Sequence, residues 1–160
     1  MTGVTEPKMK VEVWSDIMCP FCYIGKRNYE TALQKFKEND QVEIEWHSFQ
    51  LDPTIPTKSG KKVNVYQYLA EKKGMSYEHS AKLHEKLIQT AKAAGLEYNF
   101  DQAIVANSFD AHKMIQLAKT KGLGDVAEER LFRAYFRLKT KNGTPVTPIS
   151  FASWISCSTR

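Results

Sequence analysis

Two cysteines set between a strand pattern and a helix pattern restrict this chain more than any other feature. Lys10-Val-Glu-Val-Trp-Ser15 alternates apolar and polar residues, as a short strand does. Ser15-Asp-Ile-Met-Cys-Pro-Phe-Cys22 follows, and from there Phe21, Ile24, Tyr29, Leu33 and Phe36 recur at helical spacing through Lys37. Cys19 therefore falls at a helix start, where unpaired backbone N–H groups and the positive end of the helix dipole stabilise a thiolate. Pro20 suits the first helical position because it has no N–H to waste. Cys22, one turn on, lies close enough to Cys19 to close a short disulfide. The pattern predicts Cys19 as an acidic, attacking thiol and Cys22 as the resolving one, with exchange through a mixed disulfide.

Two other readings of the pair compete. It could be half of a zinc site, but structural zinc needs four ligands and no second CxxC exists. The remaining candidates, His47, His79, His84, His112 and Cys157, form no close pair with ligand spacing. The two cysteines could also be simple packing residues. Strand-then-helix placement is what redox chemistry requires, so dithiol exchange with no metal and no organic cofactor is the reading preferred.

Val42, Ile44 and Trp46 alternate with polar residues to give a second strand, predicted parallel to the first across a β-α-β unit. A loop with Pro53, Pro56, Ser59 and Gly60 follows. Four helices are then expected: Asn64–Lys73; Ser76–Ala94, with Ser76 as cap; Asp101–Lys121, with Asp101 as cap; and Asp125–Leu138, with Asp125 as cap and Glu128 at capping-box spacing. The fold class is α/β, a β-α-β unit with a large helical insertion. The divisions are 1–52 for the CxxC unit, 53–138 for the helical insertion and 139–160 for an atypical tail.

The net charge of +5 first suggests nucleic acid. All of the excess lies in residues 131–160, which hold five Lys or Arg and no acid. A basic tail is weaker evidence than a basic face with interleaved aromatics, so nucleic acid is not expected as a partner. No apolar run approaches the ~18 residues of a membrane span. No secretory leader is visible before Lys10, which makes the cytoplasm the default compartment unless a leader was removed.

Val13-Trp-Ser-Asp-Ile-Met-Cys-Pro-Phe-Cys-Tyr-Ile-Gly25 resembles the active-site segment of the DsbA-like proteins of the thioredoxin superfamily, in particular their FrnE-like dithiol–disulfide isomerase branch. Phe49-Gln-Leu-Asp-Pro53, Asn107-Ser-Phe-Asp-Ala-His112 and Leu131-Phe-Arg-Ala-Tyr-Phe136 are similar to that branch in order and spacing. The resemblance covers roughly residues 10–137 and implies a thioredoxin-like domain interrupted by helices. It implies oxidation or isomerisation of disulfides, with protein thiols or glutathione as electron partners. Related enzymes include glutathione-linked isomerases and kappa-type transferases, in which a serine commonly takes the nucleophilic position. Both sulfurs are present here, which favours dithiol chemistry, with a glutathione-dependent transferase or isomerase as the alternative. Phe21 occupies the position that tunes redox potential in the superfamily.

The resemblance fails at the C-terminus. The family continues into a cis-proline loop, two strands and a helix, and only Gly143-Thr-Pro-Val146 offers a candidate loop, at Pro145. The β-β-α part is thus expected to be missing or incomplete, leaving a truncated, non-catalytic member as a further alternative. A two-strand parallel sheet cannot cover both its faces, which predicts marginal stability or a homodimer that closes the gap. Around the cysteines, Asp16 is read either as a turn former or as an aid to proton transfer at Cys22. Trp14 is read as packing beside the disulfide or in the core. Asn107 and His112 are candidates for a substrate or glutathione groove, or for helix packing. His47, His79 and His84 are read as surface or structural. Cys157 is read as a free exposed thiol.

Overall fold

The computed structural model describes residues 9–57 and 63–137. Pro145, Cys157 and the expected tail lie outside the described residues. Strand β1 (Met9–Ser15) and strand β2 (Val42–Ser48) pair in parallel, with Val11 opposite Ile44 and Val13 opposite Trp46. Helix α1 (Pro20–Lys35) crosses between them, followed by a short 3-10 turn at Asn39–Gln41. This is the predicted β-α-β unit, and parallel pairing requires such a crossover.

Four helices follow: α2 (Val65–Lys73), α3 (Tyr77–Ala93), α4 (Phe109–Lys119) and α5 (Gly124–Phe136). Helix α2 packs on α3 and α4 packs on α5. The α2 start is fixed by Asn64, whose side chain accepts from the Gln67 N–H at 2.7 Å. Its end is fixed by Gly74 at φ +63°, a left-handed conformation that costs glycine little. Ser76 caps α3 as expected, accepting from the His79 N–H at 3.1 Å.

Two predicted helix starts are wrong. Helix α4 begins at Phe109 after Ser108, not at Asp101. Residues 101–108 are instead drawn into extended contact with the chain before α2: Val105 N–H donates to Val63 C=O at 3.0 Å, and Asn64 bridges to Ile104. Asp101 accepts from the Tyr66 hydroxyl at 2.8 Å. Helix α5 begins at Gly124, which places Asp125 inside the first turn, where it pairs with Lys26 at 2.8 Å. Glu128 is not half of a capping box. It is 4% exposed and points into the protein.

The core runs beneath α1. Tyr23 and Ile24 of α1 are buried against Leu131, Phe132 and Phe136 of α5, with Tyr98 and Phe100 from the α3–α4 connection. Phe132 is fully buried, and its ring stacks on Tyr23 with centroids 4.8 Å apart. Tyr98 stacks on Phe136 at 4.6 Å. Offset aromatic pairs of this kind add about 0.5–1.5 kcal/mol each beyond the area they bury. The helix that carries the cysteines is thus held by rings from the far end of the described chain.

Candidate active site

The two sulfurs stand where the backbone turns from loop into helix. Cys19 is the residue before α1, with extended φ and ψ, and Pro20 opens the helix. The Cys19 N–H donates to Asp16 C=O at 2.9 Å, closing the turn after β1, and the Cys22 N–H donates to Cys19 C=O at 3.1 Å. The carbonyl of Pro20 accepts from the Tyr98 hydroxyl at 2.6 Å, so the first turn is tied to the helical segment as well as to β1.

Asp16 is 2% exposed and organises the loops on either side. Its carboxylate accepts from the Met18 N–H at 3.2 Å and from the Leu51 N–H at 2.7 Å. His112 Nε2 lies 3.3 Å away. Burial alone would raise the Asp16 pKa, but hydrogen bonds from His112, the Leu51 N–H, Ser108 and the Met18 N–H outweigh it and hold the carboxyl below its usual range. An acid held ionised in this way serves as a fixed acceptor. That is the turn-forming role, extended across two loops.

Cys19 and Cys22 are both free, and their side chains stand close enough to interact and titrate as a pair. The interaction with Cys19 lowers Cys22 to about 6, against the opposing effect of burial. The same interaction, with burial, raises Cys19 above the usual thiol range. Taken as a unit, the pair gives up its first proton more readily than an isolated thiol does.

A cavity of about 620 Å³ opens beside Cys19, and Cys22 is not among its lining residues. Its walls are largely apolar: Met18, Phe21 and Leu51 near the sulfur, Leu83 and Leu87 of α3 opposite. Phe21 is 65% exposed at its mouth, an unusual position for a large ring unless something packs on it.

Several expected site residues stand elsewhere. Trp14 is neither in the core nor against the sulfurs. It is 59% exposed and stacks on His47, its register partner, at 4.8 Å. Asn107 and His112 do not line the cavity. Asn107 accepts from Gln50 at 3.0 Å and donates to Ile55 C=O at 2.6 Å, holding the loop after β2, while His112 is buried on Asp16. His84, read as surface or structural, lines the cavity and is buried between Tyr66 and Phe100. Glu12, Glu45 and His47 cluster on the outer sheet face at a spacing that could hold a cation, but Lys10 already pairs with both acids.

Three residues of the site escaped the sequence reading. Ser15, at the end of β1, is 1% exposed. Tyr98 anchors the first turn of α1. Glu128 is 4% exposed, and burial raises its carboxyl to about 7. A signal for Glu128 existed: with Leu131, Phe132 and Tyr135 it falls on the inward stripe of α5.

Among known proteins, the DSBA-like thioredoxin domain matches residues 10–152. A protein of Bacillus subtilis, carried as uncharacterized protein YwbO, is 30% identical over 128 residues, covering 79% of this chain and 56% of that protein. The crystal structure of a probable DsbA oxidoreductase from Streptomyces coelicolor superimposes with a TM-score of 0.74 at 36% identity, over 79% of this chain and 53% of that one. The chain therefore spans about half the length of these relatives. Among the described residues, no helix is long and apolar enough to cross a membrane.

Proposed function

The chain belongs to the DSBA-like thioredoxin family, and on that premise we propose that it is a thiol–disulfide oxidoreductase working through Cys19 and Cys22. One observation carries the reading: two free, neighbouring cysteines at the first turn of a helix, one of them on the wall of an apolar groove. The exchange conserves atoms and electrons. A Cys19 thiolate attacks a substrate disulfide, an S–S bond forms between Cys19 and one substrate sulfur, and the other substrate sulfur leaves and takes up a proton. Cys22 then attacks Cys19, the intramolecular disulfide forms, and the second substrate thiol is released. The substrate is reduced by two electrons and the dithiol is oxidised. With the opposite driving force the same steps run backwards.

The groove favours an apolar peptide segment next to the reacting cysteine, so protein disulfides are the proposed substrates and isomerisation the proposed finer activity. Glutathione serves as a small electron partner. No metal or organic cofactor is needed for these steps, and the cytoplasm is the proposed site of action. The test is insulin reduction with dithiothreitol, together with reactivation of scrambled ribonuclease. Activity in the parent chain, its loss in Cys19→Ser and trapping of a mixed disulfide in Cys22→Ser are the expected results. No activity in the parent chain would refute the proposal. Glutathione-dependent turnover surviving Cys22→Ser would assign the site to transferase chemistry instead.

A further inference from the structure

Three large apolar side chains that solvent reaches converge on the cavity beside Cys19. Phe21, Leu51 and Leu83 all line it, and they are 65%, 59% and 37% exposed. Exposed apolar surface gathered around a concave site marks a place where apolar groups of a ligand pack. The charge on the same wall is one-sided. Lys73 and Lys86 line the cavity, and no aspartate or glutamate does. Lys73 is the last residue of α2, and Lys86 shares a face of α3 with Leu83 and Leu87.

Neither lysine is neutralised by a close partner. Ion pairs occupy Lys10, Lys26, Arg27, Lys72, Lys113 and Arg137. Among the described residues none reaches Lys73 or Lys86, and both are exposed. On a helix the acids that would pair with them stand three or four positions away. No residue at those positions is acidic, and Lys82, one turn before Lys86, adds another cation. The sequence outside the described residues holds one acid, Glu6. Unpaired cations beside apolar surface attract an anion more strongly than cations surrounded by water.

We propose that Lys73 and Lys86 make this groove selective for disulfide-bearing peptide segments in which apolar residues are flanked by aspartate or glutamate. This rests on the dithiol reading above and names the substrate class of that site. Apolar side chains of the segment cover Phe21, Leu51 and Leu83 beside the sulfur, and its carboxylates settle on the two ammonium groups. A segment with basic flanks meets the same lysines as repulsion, so the discrimination has an unfavourable side as well as a favourable one. The lysines make and break no bonds in the exchange. They determine which disulfide arrives.

Synthetic peptides test the proposal. Each carries one intramolecular disulfide between leucines, with flanks of Asp-Glu, Asn-Gln or Lys-Arg. The reduced chain, with Cys157→Ser to leave the active-site pair alone, reduces them, and acid-quenched samples give the rates. At ~20 mM salt the acidic-flanked peptide should react about 10-fold faster than the basic-flanked one, with the neutral peptide between them. At ~0.5 M salt screening should close the gap to about twofold or less. Lys73→Glu with Lys86→Glu should invert the order. Lys35→Glu with Lys121→Glu changes the net charge equally at exposed positions off the cavity wall, and should keep the parent order. Comparing the same peptides between variants cancels their own reactivity. Hydroxyethyl disulfide, small and uncharged, should react within about twofold of the parent rate in every variant, which shows an intact Cys19. Should the reversed pair fail to fold, Lys73→Gln with Lys86→Gln should erase the gap. An order unchanged by substituting Lys73 and Lys86, or inverted as fully by the Lys35 and Lys121 pair, would overturn the proposal and leave the dithiol reading standing. So would reduction of hydroxyethyl disulfide but of none of the peptides. A parent chain that reduces no disulfide at all would remove both.

Discussion

Glu128→Gln tests the structure with no appeal to catalysis. In the folded chain the Glu128 carboxyl is raised to about 7 by burial, against an ordinary value of 4.5. The folded state thus binds this proton more tightly than the unfolded chain. The stability that goes with it is fully present below the unfolded value and is lost as pH rises toward the folded one. At about 1.4 kcal/mol for each tenfold change in proton affinity, the loss across that window is roughly 3 kcal/mol. Glutamine has nearly the same shape and no charge to bury. The stability difference between Glu128→Gln and the parent should therefore grow by roughly 3 kcal/mol in favour of the variant between pH 4.5 and pH 8. Urea unfolding of both proteins, followed by tryptophan fluorescence with the thiols kept reduced, measures it. Taking the difference cancels the titrating groups that do not interact with Glu128. Oxidising the cysteine pair removes the Cys22 charge that helps to raise Glu128, so the growth should shrink. A difference that stays constant within about 0.5 kcal/mol over this range would refute the burial of this carboxyl.

Phe132→Ala should cost about 3–5 kcal/mol in the same unfolding measurement, because the ring is fully buried between α1 and α5. Asp16→Asn should cost about 2 kcal/mol or more, since hydrogen bonds to a charged acceptor are lost in a dry site. The Asp16 carboxyl is held below its ordinary 3.8, so its contribution is present above that pH and lost as pH falls through the folded value. An acid titration should accordingly show a steeper loss of stability below pH 4 in the parent than in the variant. Tyr98→Phe removes the hydroxyl that donates to the Pro20 carbonyl and should cost about 1 kcal/mol. Faster hydrogen exchange confined to the first turn of α1 would accompany it.

The β-α-β unit was legible because each of its parts is local. Pro20 sets the start of α1, alternation sets β1 and β2, and the crossover sets parallel pairing. Helix α3 was legible through its cap, Ser76, whose side chain bonds the next turn as the sequence suggests, while Asn64, read as the first residue of α2, proves to be its cap. The start of α4 was not, because Asp101 fits a cap locally while Val105 is taken by Val63, a partner some forty positions back. Glu128 shows the reverse failure. The capping-box spacing from Asp125 is not used, and the stripe it shares with Leu131 and Phe132 decides where it points. Trp14 went astray for a related reason. It lies on the sheet face opposite Ser15, so the alternation that buries one exposes the other. The acidity of the cysteines depends on how their two side chains meet, which no spacing rule ranks between two sulfurs.

The ring stack beneath α1 has a consequence for a chain still being made. Tyr23 leaves the ribosome more than a hundred residues before Phe132 and Phe136, the rings that hold its helix in place. At about 5–20 residues per second, the cysteine helix waits about 5–20 s for its support. During that interval the first turn of α1 lacks the rings that bury it. The fully packed site therefore forms late, when α5 docks against α1.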